Sequence, residues 1–137
     1  MRLFSSKIYG FKREILRGKG QPYLTRYYIF ESSFMDIYVH NFHDSDYPVP
    51  HDHPWSFISI PLKTGYIEHL ADGTSIVRKP LIPKFRHAEV FHWVEKIPHL
   101  PSPWTLFISF RRKRNWGFLT KDGWVDHQTY IKEVLGE

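Results

Sequence analysis

Turn formers cut this chain into short apolar and aromatic pieces, and that spacing limits what it can fold into. Ten Pro and eight Gly are spread along 137 residues, leaving few stretches long enough for a helix of several turns. The pieces between them read as strands. Residues 23–30 (YLTRYYIF) are aromatic and apolar without helical spacing. In 34–42 (FMDIYVHNF), Met35, Ile37 and Val39 alternate with Asp36, Tyr38 and His40, the period of two of a half-buried strand. Residues 55–62 (WSFISIPL) read as a buried strand, Gly65 as the turn after it, and 66–70 as the returning strand. Asp72-Gly73 then marks a hairpin to 75–78. Strands are also expected at 90–94 and 104–110, on either side of the Pro-rich KIPHLPSP, and a last hairpin joins 116–120 to 123–125. Only the tail, 127–135, has helical spacing, with Tyr130, Ile131, Val134 and Leu135 on one face. Short strands at close, regular spacing make an all-β sandwich or barrel.

Composition agrees. Aromatic residues make up 18% of the chain, and they suit a pleated, half-buried surface. The length fits one domain, 1–137, able to bury a core without staples. The chain has no Cys, which excludes disulfides and thiolate metal sites and fits a reducing compartment. The N-terminal MRLFSSKIYG lacks a continuous apolar run, and nothing approaches the length of a membrane-spanning helix. A soluble, cytoplasmic protein without a membrane partner is the expectation. The net charge of +5 comes mostly from dispersed residues, and the one dense run is Arg111-Arg112-Lys113-Arg114. That run reads as a solvated loop or strand end, or as a contact for nucleic acid or an acidic partner.

The chemistry is concentrated in HDHPW, residues 51–55. Two His at i and i+2 on a strand point to the same face, so both imidazoles could converge on one ion, although a bare His-x-His also arises by chance. Asp52, between them, points the other way and is the poorer ligand. Pro54 cannot donate to a ladder, which places the pair where a loop enters a strand. A third His must come from elsewhere. His99 and His127 lie in a Pro-rich loop and the tail, where solvated or capping roles are expected, and His40 lies mid-strand, where cross-strand packing is. His92 sits in the aromatic and apolar VFHWV, where a buried His needs a partner: it is a hydrogen-bonded core residue or the third ligand. Ser56 and Ser59 lack the Gly context of a nucleophile elbow.

The stretch HDHPWSFISIPLKTG, residues 51–65, resembles the first motif of the cupin superfamily: His51, His53 and Gly65 match its spacing, while Ile58 stands in the acidic position. HAEVFH, residues 87–92, resembles the second motif and places His92 on its histidine, with His87 and Glu89 where Pro and Gly are usual. The chain is also similar to small cupin-like proteins of bacteria and their phages. It shares with them Ser45-Asp46, HDHPW, Ser59, Leu62, Gly65-Tyr66, Glu68, Arg86, Trp104-Thr105-Leu106, Arg112, Arg114, Trp116-Gly117-Phe118 and Gly123-Trp124, a match over about two thirds of the chain. The resemblance implies a cupin double-stranded β-barrel of jelly-roll type with a short C-terminal helix. It also implies a divalent transition metal (Fe, Zn, Ni, Mn or Co) on His51, His53 and His92.

With Ile58 in the acidic position, the ligand set implied is three neutral His, which still leaves room for water or substrate. Glu68 is the candidate to restore a carboxylate, as ligand or general base, against the alternative of a surface acid paired with Lys or Arg. Glu89 has the opposite parity to His92 on a regular strand and ranks below Glu68. Arg86, His87 and Tyr66 are candidate substrate-binding residues, with solvation as the alternative for the first two. Three functions stay open: a metal-dependent oxygenase, isomerase or lyase acting on a small molecule; a non-catalytic barrel binding a small ligand such as a sugar or nucleotide sugar; and an interaction protein working through residues 111–114. A homodimer is expected from the resemblance, with strand 23–30 covering a barrel edge.

Overall fold

The computed structural model describes residues 4–9, 12–17, 20–111, 114–134 and 136. Among them the chain first forms strands β1 (Phe4–Tyr9), β2 (Lys12–Arg17), β3 (Gln21–Glu31), β4 (Met35–Phe42), β5 (Phe57–Lys63) and β6 (Tyr66–Leu70). Strands β7 (Ser75–Arg78), β8 (Lys84–Arg86), β9 (His92–Lys96), β10 (Trp104–Phe110), β11 (Gly117–Thr120) and β12 (Gly123–Asp126) follow. A single helical turn, α1 (His127–Thr129), runs into a wider turn over Tyr130–Val134. Asp126 caps it by accepting the N–H groups of Gln128 and Thr129.

Seven strands make one antiparallel sheet in the order β1-β2-β3-β4-β10-β5-β8, and β7-β6-β9 make a second. The segment before β5 joins that second sheet to the β11-β12 hairpin. His51 bridges both His92 and Phe118. Its N–H donates to the His92 carbonyl at 2.9 Å, and the His92 N–H returns the bond at 3.0 Å. On the other side Leu119 N–H reaches the Pro50 carbonyl at 2.8 Å, and Asp52 N–H the Gly117 carbonyl at 3.1 Å. The HDHPW segment is thereby a short central strand of the second layer, although Pro54 ends it at once.

Alternation decides which side chains meet between the layers. Phe57, Ser59 and Pro61 of β5 are buried, as are Thr105, Phe107 and Ser109 of β10. Tyr38, Phe57 and Phe107 form the apolar core, with Tyr28 and Trp55 packed against it. His40, Ser59, Thr105 and Ser109 are buried on the same face. An inner face this polar does not close into a dry core; the layers instead border an open cavity of about 610 Å³.

Most of the expected strands lie where the sequence placed them, and the differences have local causes. Strand β9 begins at His92, not Val90, because its pairing with His51 starts there. At residues 64–65 the positive φ, 59°, belongs to Thr64. Gly65 is needed for close approach: a Cβ there would lie 2.0 Å from the carbonyl oxygen of Arg78. Strands β1, β2 and β8 were not anticipated. As a consequence β3 lies inside the large sheet, between β2 and β4, and does not cover an edge. The short C-terminal helix is present as one α-turn that runs into a wider turn, with Tyr130 buried against Phe118 at 4.3 Å between ring centroids.

Candidate metal centre

The side chains of His51 and His53 emerge on one side of their segment, as alternation requires, and His92 comes from the neighbouring strand. One ligand nitrogen from each lies within 4.8 Å of the other two. The ring centroids are 4.9 Å apart for His51–His53, 5.2 Å for His51–His92 and 4.9 Å for His53–His92.

Burial keeps the first two rings neutral. It lowers the pKa of His51 to about 4, with the neighbouring His92 pulling the same way. The same burial, together with His92 and His51, holds His53 well below its ordinary value. Neutral imidazole offers the lone pair a metal needs. The Nδ1 of His53 is buried without a hydrogen-bond partner, an unsatisfied nitrogen of the kind an ion or water would answer.

The orientation of His92 is set from behind by Glu68. The carboxylate is 3% exposed, and its Oε2 lies 2.5 Å from His92 Nδ1. Arg78 donates to Oε1 through Nε at 2.8 Å and Nη2 at 2.6 Å. Arg86 spans both oxygens, with Nε to Oε2 at 3.0 Å and Nη2 to Oε1 at 2.6 Å. Burial alone would raise the Glu68 carboxyl, but the bonds from His92 and Arg86 overcome it and hold the group well below the usual carboxylate range. An ionised carboxylate only accepts, so Nδ1 of His92 donates this bond and Nε2 is the ring nitrogen left for a metal.

The residues singled out in the sequence separate into two groups. His51, His53, His92 and Tyr66 line the cavity, where the Tyr66 hydroxyl shares a 2.8 Å hydrogen bond with Ser59. Glu68, Arg86 and His87 are not among the lining residues. Glu68 sits behind His92 and Arg86 is turned onto Glu68, while the exposed His87 stands edge-on to Phe85 at 4.9 Å. Phe57 and Ser59 of β5 face the cavity, with Ile58 between them. The inward neighbour of the triad on that strand is therefore Phe57, its ring 4.7 Å from His53. Asp52 does point away, as its parity requires, and it is 0% exposed. It accepts from Gly117 N–H at 2.7 Å and Trp124 Nε1 at 3.2 Å and pairs with Arg114 at 2.5 Å, tying the His segment to the last hairpin. His40 packs across strands, its ring centroid 5.0 Å from Phe107. Of the basic run, Arg112 and Lys113 lie outside the described residues, and Arg111 is exposed.

Three features were missed. Ser45 and Asp46 dock β9: Asp46 N–H donates to the Val94 carbonyl, Asp46 Oδ2 accepts from Val94 N–H and Ser45 Oγ accepts from Lys96 N–H, each at 2.8 Å. Trp55 stacks on His53 at 5.4 Å, and Trp116 stands 6.0 Å from His51. Arg13 and Arg26 line the cavity. The alternation of Arg13, Ile15 and Arg17 was the available signal for a strand there, and dispersed charge concealed it. No helix among the described residues is long and apolar enough to cross a membrane.

Solved structures share this architecture. The polyketide cyclase RemF from Streptomyces resistomycificus is similar with a TM-score of 0.61, 14% identity, and coverage of 94% of this chain and 87% of that one. A cupin superfamily protein from Desulfitobacterium hafniense gives a TM-score of 0.53 at 14% identity over 64% of this chain and 77% of that one. FeII HppE gives 0.58 at 11% identity over 80% of this chain and 56% of that one. No family model and no curated protein matches the chain. At such identities the likeness shows the fold, and the fold is the double-stranded β-barrel of the cupins.

Proposed function

We propose that this cupin-fold chain binds one divalent transition metal through His51, His53 and His92 and acts on a small molecule held in the cavity before it, as an oxygenase, isomerase or lyase. The observation that carries the reading is the convergence of three imidazoles, with two held neutral by burial and the third oriented by a buried carboxylate. The donor set fits Fe, Zn, Ni, Mn or Co. Such an ion supplies Lewis-acid polarisation of a substrate oxygen, or oxygen chemistry where the metal is redox-active. Glu68 fixes the tautomer and angle of His92 and does not itself reach the cavity. Phe57, Trp55 and Trp116 exclude water around the triad, and Tyr66 offers a hydroxyl anchored to Ser59.

A non-catalytic ligand-binding barrel is the second reading. It is favoured by the commitment of both Glu68 oxygens to Arg78, Arg86 and His92, which leaves this acid no part in proton transfer. Elemental analysis and metal titration of the purified protein test the metal. One ion per chain is expected, with affinity lost in His51→Ala and His92→Ala. Failure to bind any transition metal, or wild-type affinity in both variants, removes the proposal. Metal-loaded protein that binds a ligand without converting it supports the second reading.

A further inference from the structure

A cross-strand row of donors stands on the inner face of the large sheet. Arg13 of β2 lies opposite Arg26 of β3, and Arg26 lies opposite His40 of β4. All three line the cavity. Like charges directly opposite on one face destabilise a sheet unless something answers them. Among the described residues Arg26 has no carboxylate partner: its Nε donates to His40 Nε2 at 3.1 Å, and its guanidinium lies 4.6 Å above the Tyr38 ring. Because Nε2 of His40 accepts that bond, the proton of a neutral ring belongs on Nδ1. That N–H is buried without an acceptor, in a side chain only 4% exposed. Arg17, which also lines the cavity, is different, since Asp44 answers it at 2.7 Å.

One wall connects this row to the metal centre. The ring of His40 lies 5.0 Å from Phe107, Phe107 lies 4.8 Å from Phe57, and Phe57 lies 4.7 Å from His53. The cavity thus has a cationic end and a metal-ligand end, three ring-to-ring steps apart along an aromatic surface. A guanidinium fork matches the paired oxygens of a carboxylate or phosphate.

We infer that the Arg26 end of the cavity binds the oxoanion of a small organic acid, a carboxylate or a phosphate, whose body lies along Phe107 and Phe57 towards the histidine triad. The anion site stands on its own geometry; that the acid is the substrate rests on the metal reading above. Phenyl phosphate, benzoate and the neutral benzyl alcohol are the probes, titrated calorimetrically into EDTA-treated protein. At least one anion should bind tenfold or more tightly than benzyl alcohol, and the tighter of the two assigns phosphate or carboxylate. Arg26→Gln should remove that advantage, about a tenfold loss or more. Arg26→Lys should keep part of it, and Lys121→Gln, on an exposed turn, should keep all of it. His51→Ala should still bind the anion, so that failure of the metal reading and failure of the anion site are read separately. Near-UV circular dichroism checks the fold of each variant, and if Arg26→Gln does not fold, the anion-to-alcohol ratio in Arg26→Lys decides. Anions that bind no better than benzyl alcohol, or a ratio unchanged in the folded Arg26 variants, would overturn the inference.

Discussion

Glu68→Gln tests the join between the fold and the site. The wild-type carboxylate answers two guanidinium groups, whose side chains are 15% and 13% exposed, and accepts the His92 Nδ1–H. Glutamine keeps the shape and one carbonyl acceptor but removes the charge. Taking one partner from a buried ion pair costs about 3–5 kcal/mol, and the lower figure of about 3 applies because both arginines keep some contact with water. With a urea m-value of roughly 2 kcal/mol/M, the midpoint falls by about 1.5 M. The same change loosens His92 and lowers metal affinity about 10- to 100-fold. Urea unfolding of EDTA-treated protein, followed by Trp fluorescence, measures the first effect, and a metal titration at fixed pH measures the second. A midpoint shift below about 0.3 M, on the same m-value, would refute the account of the buried cluster. A large stability loss with unchanged metal affinity would refute the orienting role.

Acid should destabilise the metal-free protein in two windows. His51 and His53 have lowered pKa values in the fold, so the unfolded chain takes up their protons first; their contribution is full above about pH 6.5 and is lost as pH falls towards the His51 value of about 4. Glu68, also lowered, adds a further loss below about pH 4.3, and that loss should be missing in Glu68→Gln. A urea midpoint that rises between pH 7 and pH 5 would contradict the first window. Gly65→Ala forces its Cβ to within 2.0 Å of a backbone oxygen and should cost about 3 kcal/mol, seen as a lowered Tm; an unchanged Tm would mean that the β6–β7 approach is loose. Asp52→Asn removes the charge that Gly117 N–H, Trp124 Nε1 and Arg114 share, and should cost about 2 kcal/mol while weakening metal binding without touching the metal. Unaltered thermal unfolding would show that Asp52 does not hold the HDHPW segment.

Where local pattern determines the outcome, the sequence was a good guide. The strand from Trp104 to Phe110 and the hairpin around Asp72-Gly73 lie where alternation and turn chemistry placed them. The convergence of His51, His53 and His92 was legible because two of them share a strand face and the third occupies a stretch too apolar for an unpartnered ring. What was not legible came from pairing between distant strands. The alternation of Arg13, Ile15 and Arg17 is too short and too charged to mark Lys12 to Arg17 as a strand until it pairs with β3, and Arg13 and Arg17 face inward because a cavity is there to receive them. Glu68 was recognised as important, but its surroundings depend on Arg78, ten residues on, and Arg86, eighteen residues on, folding back over it. The inward position on β5 likewise depends on where that strand starts its alternation, which puts Phe57, and not Ile58, beside His53.

These displacements share an electrostatic consequence. The inward position beside the triad on β5 is filled by a phenyl ring, and the Glu68 carboxylate behind His92 is matched against two arginines. The cluster of Glu68, Arg78 and Arg86 thus carries one net positive charge, and the ligand set itself carries none. An ion bound by three neutral imidazoles keeps its full two-plus charge in a cavity that already contains Arg13, Arg26 and Arg17. Arg17 is answered by Asp44, while Arg26 has no carboxylate partner among the described residues. Such a cavity favours an anion over a neutral molecule from both ends. Metal and organic acid should then bind with positive coupling, each raising the affinity of the other by the same factor. If the anion affinity measured at the Arg26 end does not increase when the triad is loaded, the two ends do not act on one ligand, and the aromatic wall between them is only a wall.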